Sequence, residues 1–377
     1  MEEVYLDNSA TTKPCHSAKE AVRRSLEETW HNPSSLYRKG MDAENTVNRA
    51  RSIIARELSA SPEEIFFTAS GTEANNTAIF SAAEYMKKRG NRVITTSIEH
   101  PSVKNVFSEL EKRGFSVVYL KPCRNGIVSE EEIRRAVTPD TVLISMMLVN
   151  NETGAIQPVE KLRSVANEVG AKPIIHCDAV QAFGKMDINV NALGVDLLSV
   201  SGHKVHAPKG VGALYKRKNL PLKPYIFGGG QEKGFRSGTE NVPNISAFGA
   251  AVEELKADTK ARERVAEISH YAREILSKMP EVVINSPPEA LPYVLNISVK
   301  GYRSETLLHF LEADGILVSS GSACSKGVAS EVLSEMGIDR ELADSALRIS
   351  FSRYNSTVDI VKLETALENA IKKLKRK

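Results

Sequence analysis

Cysteines are few in this sequence, and they are widely spread. The 377 residues include four of them, Cys15, Cys123, Cys177 and Cys324. They form no Cys-x-x-Cys pair and no cluster with histidines. The spacing therefore predicts neither a metal site nor a disulfide framework, and we expect reduced thiols.

Long apolar runs and an excess of one charge are also missing. The most apolar segment, VLISMMLV, is far too short to cross a bilayer. Fifty basic residues against 47 acidic ones give a formal net charge of +3, too close to balance to indicate nucleic-acid binding. The opening MEEVYLDNSA lacks the basic and apolar regions of a signal peptide. We therefore expect a cytoplasmic protein that contacts neither membranes nor nucleic acid.

The sequence does contain an alternation of strand and helix patterns between about residues 64 and 220. Short apolar runs such as RVITTSIEH, TVLISMMLVN and PIIHCDAV are separated by amphipathic stretches. This alternation predicts an α/β fold with a large, mostly parallel sheet that is covered on both faces. Such a sheet binds ligands beyond the carboxyl ends of its strands.

The remainder of the chain predicts a smaller C-terminal α+β domain. An amphipathic pattern over 245–279 predicts one connecting helix, and YVLNISV, GILVSSG and ALRISFS predict strands of a second sheet. A final helix is predicted from apolar residues at helical spacing, namely Val358, Val361, Leu367, Ile371 and Leu374.

The segment FTASGTEANN joins a predicted strand to a predicted helix through small residues. These leave backbone N–H groups around Gly71 and Thr72 free at the helix N-terminus, where an anion such as phosphate can bind. The segment matches neither the P-loop nor the Gly-x-Gly-x-x-Gly pattern, so nucleotides are not favoured. Taken alone, such a turn is more often a simple helix cap.

Asp178 and Lys204 each end an apolar strand. Asp178, in IIHCDAVQ, either caps the next segment or pairs with a ligand cation such as a protonated ring nitrogen. Lys204 follows LLSVSGH, and a lysine in a desolvated pocket becomes a nucleophilic amine suited to a Schiff base. A phosphate-binding turn, a strand-end aspartate and a strand-end lysine together predict a pyridoxal phosphate site.

Cys324 lies in GILVSSGSACSKG, among Ser, Gly and Ala residues. A free cysteine is usually buried among apolar neighbours, so a cysteine in this setting is either an inert surface thiol or a reactive one. Beside a pyridoxal phosphate site, a mobile thiol makes chemical sense as a sulfur acceptor. Cys177, inside a predicted strand, is expected to belong to the core.

Short segments with recognisable patterns occur in order along the chain: YLDNSATT, NPSS, SGTEANN, EHPSV, NNETGAIQP, HCDAVQ, SGHK, PKGVGALY, GGGQEKGFRSGTENV, SSGSAC and ALRISFSR. From residue 4 to about 355, the chain thereby resembles the NifS/IscS-type cysteine desulfurases, in the class V aminotransferase group of fold-type I pyridoxal phosphate enzymes. The resemblance implies a seven-stranded large domain over 13–255. A small domain, made of 1–12 and 256–377, would carry Cys324.

The resemblance also implies roles in the chemistry for four residues. Lys204 would hold the aldehyde of pyridoxal 5'-phosphate, and His100 would stack on the cofactor ring and help to move protons. Asp178 would pair with the ring nitrogen. Cys324 would accept the sulfur.

Further residues are implied for binding. Gln181 and Asn151 would bond near the phenolic oxygen of the ring and the substrate, and Arg348 would grip the substrate carboxylate, which suits its bidentate fork. The phosphate end would be held by Gly71, Thr72, Ser201, Gly202, His203 and, from the second subunit of a homodimer, Thr239.

The implied reaction converts L-cysteine to L-alanine and leaves a persulfide on Cys324 for an acceptor protein, in iron–sulfur cluster assembly or tRNA thiolation. The interval between SSGSAC and ALRIS is a few residues shorter than expected for the housekeeping members, which leaves the acceptor open.

Two alternatives to this function remain. One is a selenocysteine lyase or another pyridoxal phosphate enzyme on the same scaffold, and the other is a non-enzymatic sulfur carrier or scaffold protein.

Overall fold

A computed structural model describes residues 3–320 and 330–376, so the predicted sulfur acceptor Cys324 lies outside the described residues. The strands are β1 (Val4–Tyr5), β2 (Ile65–Thr68), β3 (Arg92–Thr96), β4 (Ser116–Leu120), β5 (Thr141–Met147), β6 (Ile174–Asp178), β7 (Leu197–Ser201), β8 (Gly212–Lys216), β9 (Val282–Ile284), β10 (Val294–Val299), β11 (Ile316–Leu317) and β12 (Ala346–Ser350). The helices are α1 (His16–Glu28), α2 (Arg38–Glu57), α3 (Gly71–Met86), α4 (Pro101–Lys112), α5 (Glu130–Ala136), α6 (Val159–Glu168), α7 (Val242–Ala257), α8 (Ala261–Leu276), α9 (Ser304–Ala313), α10 (Glu331–Glu335), α11 (Arg340–Asp344) and α12 (Thr357–Lys373).

The central sheet confirms the predicted mostly parallel, seven-stranded architecture. Its strands lie in the order β2-β8-β7-β6-β5-β3-β4, and β8 alone runs antiparallel to its neighbours. Every residue of β5, β6 and β7 is buried, as expected for strands that helices cover on both faces. In register, Met147 pairs with Asp178, and Asp178 pairs with Ser199. The carboxyl ends of the three central strands therefore meet at one edge.

Side chains alternate between the two faces of this sheet. Leu143 contributes to the core cluster beneath α3 and α4, whereas Ile144 contributes to the larger core cluster that includes residues of α2, α6 and α7. Cys177 lies in the larger cluster with no exposed surface, which confirms it as a core residue. The apolar runs of the sequence correspond to strands between two layers of helices.

The C-terminal part differs from its prediction in three respects. The pattern over 245–279 forms two helices, α7 and α8, because the backbone leaves the helical region at Asp258 (ψ 74°). Asp258 and the following Thr259 are both of residue types that form helices weakly. GILVSSG contributes β11, which pairs in parallel with β1 rather than within the second sheet. That sheet has the order β12-β10-β9, and its third strand, β9, is too short for periodicity to reveal.

The face that the final helix, α12, buries matches the prediction only in part: Leu367 is buried, and Ile371 and Leu374 pack against the core. Val358 and Val361 are 59% and 43% exposed, so their assignment to the apolar face was wrong. The buried face is made by residues 3 or 4 apart, namely Ile360, Leu363, Leu367 and Ala370. Within residues 3–320 and 330–376, no helix has both the length and the apolarity needed to cross a membrane.

His176, on the central strand β6, makes the fold sensitive to acid. Its ring is fully buried, with Nδ1 2.8 Å from Ser145 Oγ and Nε2 3.0 Å from Ser199 Oγ. Burial lowers its pKa from 6.5 to about 3. Between these values the unfolded chain takes up a proton that the folded protein does not, so stability falls as the pH falls through this window.

Because of His176, we expect the free energy of unfolding to fall by about 2 kcal/mol when the pH is lowered from 6.5 to 4.5. Chemical denaturation of the purified protein at both pH values measures the loss. In the variant His176→Asn, the amide can still form hydrogen bonds with the two serines. The free energy of unfolding of this variant should fall by about 2 kcal/mol less over the same pH interval. If the variant kept the full pH dependence, His176 would not be its source.

Candidate active site

A cavity of about 630 Å³ opens at the carboxyl ends of the central strands. Its volume is in the range of sites for cofactors and small substrates. Its lining includes these residues from the sequence prediction: Gly71, Thr72, His100, Asn151, Asp178, Gln181, Ser201, His203, Lys204 and Arg348. Among the other predicted residues, Gly202 and Thr239 do not line it, and Cys324 lies outside the described residues.

One end of the cavity is formed by the N-terminus of α3. Ser70 caps this helix, its Oγ accepting the Glu73 N–H at 3.1 Å. A Cβ at Gly71 would lie 2.8 Å from Val180 Cγ2 and 3.3 Å from Ser201 Cβ, so only glycine lets the helix start this close to the ends of β6 and β7. Backbone N–H groups at the start of a helix form a site suited to a phosphate group.

His203 also lines the cavity. Burial lowers its pKa to about 4, and the positive charges of Lys204, Lys209 and Lys185 act in the same direction. The ring is therefore neutral at pH 7. Its Nδ1 lies 3.2 Å from Thr11 Oγ1, which orients the imidazole.

The buried carboxylate of Asp178 is held in a fixed orientation. Its Oδ2 accepts Asn75 Nδ2 at 2.7 Å, and its Oδ1 accepts the backbone N–H of Val180 at 2.9 Å. Asn75 Nδ2 also donates to Ser102 Oγ at 2.9 Å. Sequence reasoning missed Asn75 and Ser102, although both lie inside quoted motifs, because nothing local indicates that they reach β6.

His100 is the N-cap residue of α4, and this position defines its tautomer. The backbone N–H of Ser102 donates to His100 Nδ1 at 3.1 Å. Because Nδ1 accepts this hydrogen bond, the neutral ring carries its proton on Nε2. Burial lowers the pKa of His100; the charge of Asp178 opposes this shift, and that of Lys204 reinforces it. In its neutral form His100 therefore carries its N–H at Nε2.

Lys204 ends a short 3-10 turn, Gly202–Lys204, that follows β7. Its Nζ donates to the carbonyl oxygens of Ser9 and Ala10, at 2.5 and 2.8 Å. A Cβ at Gly202 would lie 2.8 Å from Val211 Cγ1, so the turn packs closely because this residue is glycine. Lys209, five residues further along the chain, is exposed. The N-terminal YLDNSATT segment thus forms part of the cavity wall that holds Lys204.

Arg348 reaches the cavity from β12 and is 2% exposed. Its Nη2 donates to Asp7 Oδ1 at 2.8 Å, and its Nη1 donates to Asn151 O at 3.2 Å. Its Nε is buried and has no hydrogen-bond partner in the described part of the chain. A buried donor of this kind is usually satisfied by a ligand or water. Asp7 is a further residue that sequence reasoning missed.

Thr239 is an exposed residue of the loop between β8 and α7, and it does not line the cavity. The loop is anchored by two ion pairs. The Glu232 carboxylate accepts both terminal nitrogens of Arg51, at 2.7 and 2.8 Å, and Arg236 Nε lies 2.6 Å from Glu73 Oε1. A contribution of Thr239 to a second subunit stays a prediction.

Comparison with known proteins identifies the family. Residues 4–363 match the family described as Aminotransferase class-V. "Cysteine desulfurase IscS" from Dictyoglomus turgidum is 40% identical, over 99% of this chain and 95% of that protein. "Cysteine desulfurase IscS" from Methanosarcina thermophila is 39% identical, over 99% and 93%. The chain therefore belongs to the class V aminotransferase family.

Solved structures agree with this assignment. A structure titled "NIFS-LIKE PROTEIN" superimposes with a TM-score of 0.94 at 36% identity, covering 99% of this chain and 100% of the other. "SspA in complex with cysteine" has a TM-score of 0.83 at 36% identity, covering 94% and 100%. The predicted resemblance to NifS/IscS-type proteins and the predicted fold-type I architecture are confirmed. The family depends on pyridoxal phosphate.

Proposed function

We propose that the protein is a pyridoxal phosphate-dependent cysteine desulfurase, which converts L-cysteine to L-alanine and transfers the sulfur to Cys324. The observation that carries the proposal is the convergence of Lys204, Asp178 and His100 on one cavity. These residues come from separate segments: Lys204 follows β7, Asp178 is the last residue of β6, and His100 follows β3. The desulfurase names of the relatives, and the cysteine bound to SspA, support the choice of substrate.

The cavity suits pyridoxal 5'-phosphate at both of its ends. The phosphate would be held at the α3 N-terminus by the backbone of Gly71 and Thr72, with the Ser201 hydroxyl and His203 beside it. Asp178, fixed by Asn75, would face the ring nitrogen as a negative charge. Lys204 would hold the aldehyde group, and Gln181 and Asn151 would bond near the phenolic oxygen. When bound, the cofactor withdraws electrons from the substrate Cα and weakens the Cβ–S bond.

The protein's own groups position the substrate and move its protons. Arg348 lines the cavity and would bind the substrate carboxylate, while Asp7 and the Asn151 carbonyl hold the guanidinium plane. Lys204 Nζ would take the proton from Cα. His100 would present its Nε2–H to the ring face, and so could deliver a proton on that side.

The sulfur acceptor is proposed from the sequence and from the residues that flank its segment. Before the segment, Ser319 pairs with Arg348, with N···O distances of 3.1 and 2.7 Å. After it, Ser330 Oγ donates to Glu152 Oε2 at 2.5 Å, and Glu331 lines the cavity. The chain thus enters and leaves the segment of Cys324 beside the substrate site, which supports a thiol that acts there.

The remaining predictions stand as parts of this proposal. The large domain would span 13–255, and the small domain would combine 1–12 with 256–377. The protein would act in the cytoplasm as a homodimer in which Thr239 completes the phosphate site of the neighbouring subunit. It would pass its sulfur to an acceptor protein.

Product analysis of the purified full-length protein with pyridoxal phosphate, L-cysteine and dithiothreitol tests the function. We expect L-alanine and sulfide in equal amounts. Pyruvate and ammonia in place of alanine would contradict the proposal, because they mark an elimination reaction. Alanine formation from L-selenocysteine but not from L-cysteine would favour the selenocysteine lyase alternative.

A further inference from the structure

Lys185 is a buried lysine that the proposed reaction does not use. It lies four residues after Gln181 in AVQAFGK and is 7% exposed. Its Nζ donates to Gln181 Oε1 at 3.0 Å and lies 5.7 Å from the centre of the Tyr293 ring. No carboxylate within the described ranges forms an ion pair with it. A buried ammonium without a counter-charge is costly, so its position needs a reason.

The hydrogen bond from Lys185 determines which way the amide of Gln181 faces. Protonated Lys185 can only donate, so in that state the amide atom beside it is the oxygen. The amide nitrogen then donates to the Ser9 carbonyl at 3.0 Å. The same carbonyl accepts Lys204 Nζ. Gln181 lines the cavity, and the second N–H of its amide is left for a group bound there, beside the lysine that would hold the cofactor.

We propose that Lys185 is a positioning residue for the cofactor: it fixes the Gln181 amide so that its second N–H is directed toward the cavity, and it adds a positive charge beside Lys204. This inference rests on the proposed function, because it concerns the phenolic side of pyridoxal phosphate. An oxygen there would receive the Gln181 N–H. The added charge would make the nitrogen of Lys204 easier to deprotonate.

The surroundings of Lys185 make its charge effective. The titratable and charged groups that face it are basic or neutral, namely Lys204, Arg348, His203, His206, Arg353 and Tyr293. Burial lowers the pKa of Lys185 to about 7, and the charges of Lys204 and Arg348 act in the same direction. Repulsion between two cations is mutual, so protonated Lys185 lowers the basicity of Lys204 in turn.

A pH titration of the visible absorption band of the holoenzyme tests this inference. In Lys185→Met and Lys185→Gln, the titration midpoint of the bound cofactor should move upward by about one pH unit, a tenfold change in proton affinity. Lys185→Arg retains the charge and should titrate within a few tenths of a unit of the unmodified protein. The matched control is Lys209→Met, which removes an exposed lysine and should leave the midpoint unchanged.

An unmoved midpoint in both neutral variants, with cofactor fully bound, would overturn the proposal. If both neutral variants fold but lose the cofactor, rescue by Lys185→Arg supports a positioning role, and failure of Lys185→Arg contradicts it. The outcome is separable from the proposed function. If the protein makes no alanine but the midpoint shifts in the neutral variants, the proposed role of Lys185 is supported and the proposed desulfurase activity is contradicted.

Discussion

Replacing Lys204 with alanine should abolish turnover of L-cysteine, with a loss of at least about a thousandfold, because the variant loses the amine that moves the Cα proton. It should also remove the covalent bond between protein and cofactor. The fold should persist, since Lys204 lies on a turn at the cavity wall and outside the apolar core. Alanine production and circular dichroism measure the two effects.

Borohydride reduction followed by mass spectrometry locates the covalent bond directly. The unmodified protein should carry the pyridoxyl group on the peptide of Lys204, and Lys204→Ala should carry none. Lys209→Ala is the control, because Lys209 is exposed in the next turn and should affect neither the bond nor the activity. A pyridoxyl group on Lys209 or on Lys185 would show that the assignment of Lys204 is wrong.

The second large effect is expected at Cys324. Cys324→Ser should leave the cofactor spectrum and cysteine binding unchanged, because the cofactor site is built from other residues. Alanine formation should fall by orders of magnitude, since a neutral hydroxyl is a far poorer nucleophile toward sulfur than a thiolate. Steady-state assays with L-cysteine, together with spectral titration of its binding, separate these two effects.

Three other cysteines supply controls for this substitution. Cys123 is exposed, and Cys123→Ser makes the same chemical change at a surface position. Cys15 and Cys177 are buried, and burial raises the pKa of both thiols, which disfavours the reactive thiolate. Cys123→Ser should keep full turnover. Full turnover in Cys324→Ser would rule out a persulfide on this residue.

The strand ends were predictable from sequence because apolar runs have a local signature. The segments LLSVSGHK and IIHCDAVQ each contain an apolar run that is typical of a buried strand. Parallel strands place their carboxyl ends together, so the residues at the ends of these runs were expected to lie close to each other. The partners of those residues were not predictable. Asn75 reaches Asp178 across 103 positions, and Ser9 reaches Lys204 across 195. Contacts of this kind depend on the folded topology, which a single sequence does not state.

The same distinction explains the errors in the C-terminal part. β11 pairs with β1 at the other end of the chain, so local pattern could not assign it to the correct sheet. In α12, Val358 and Val361 are apolar but exposed, because the helix packs through the face that carries Ile360 and Leu363. Apolar spacing predicted the helix, and tertiary packing chose its face.

The central claim, that Cys324 receives sulfur from L-cysteine, is tested most directly by trapping. The purified holoenzyme is given L-cysteine without reductant, alkylated at once and analysed by peptide mass spectrometry, with alanine measured in the same sample. We predict one extra sulfur on the peptide of Cys324, matched by about one alanine per chain, and none on Cys123. Alanine formed with no extra sulfur on Cys324, or with the extra sulfur on another cysteine, would contradict the account.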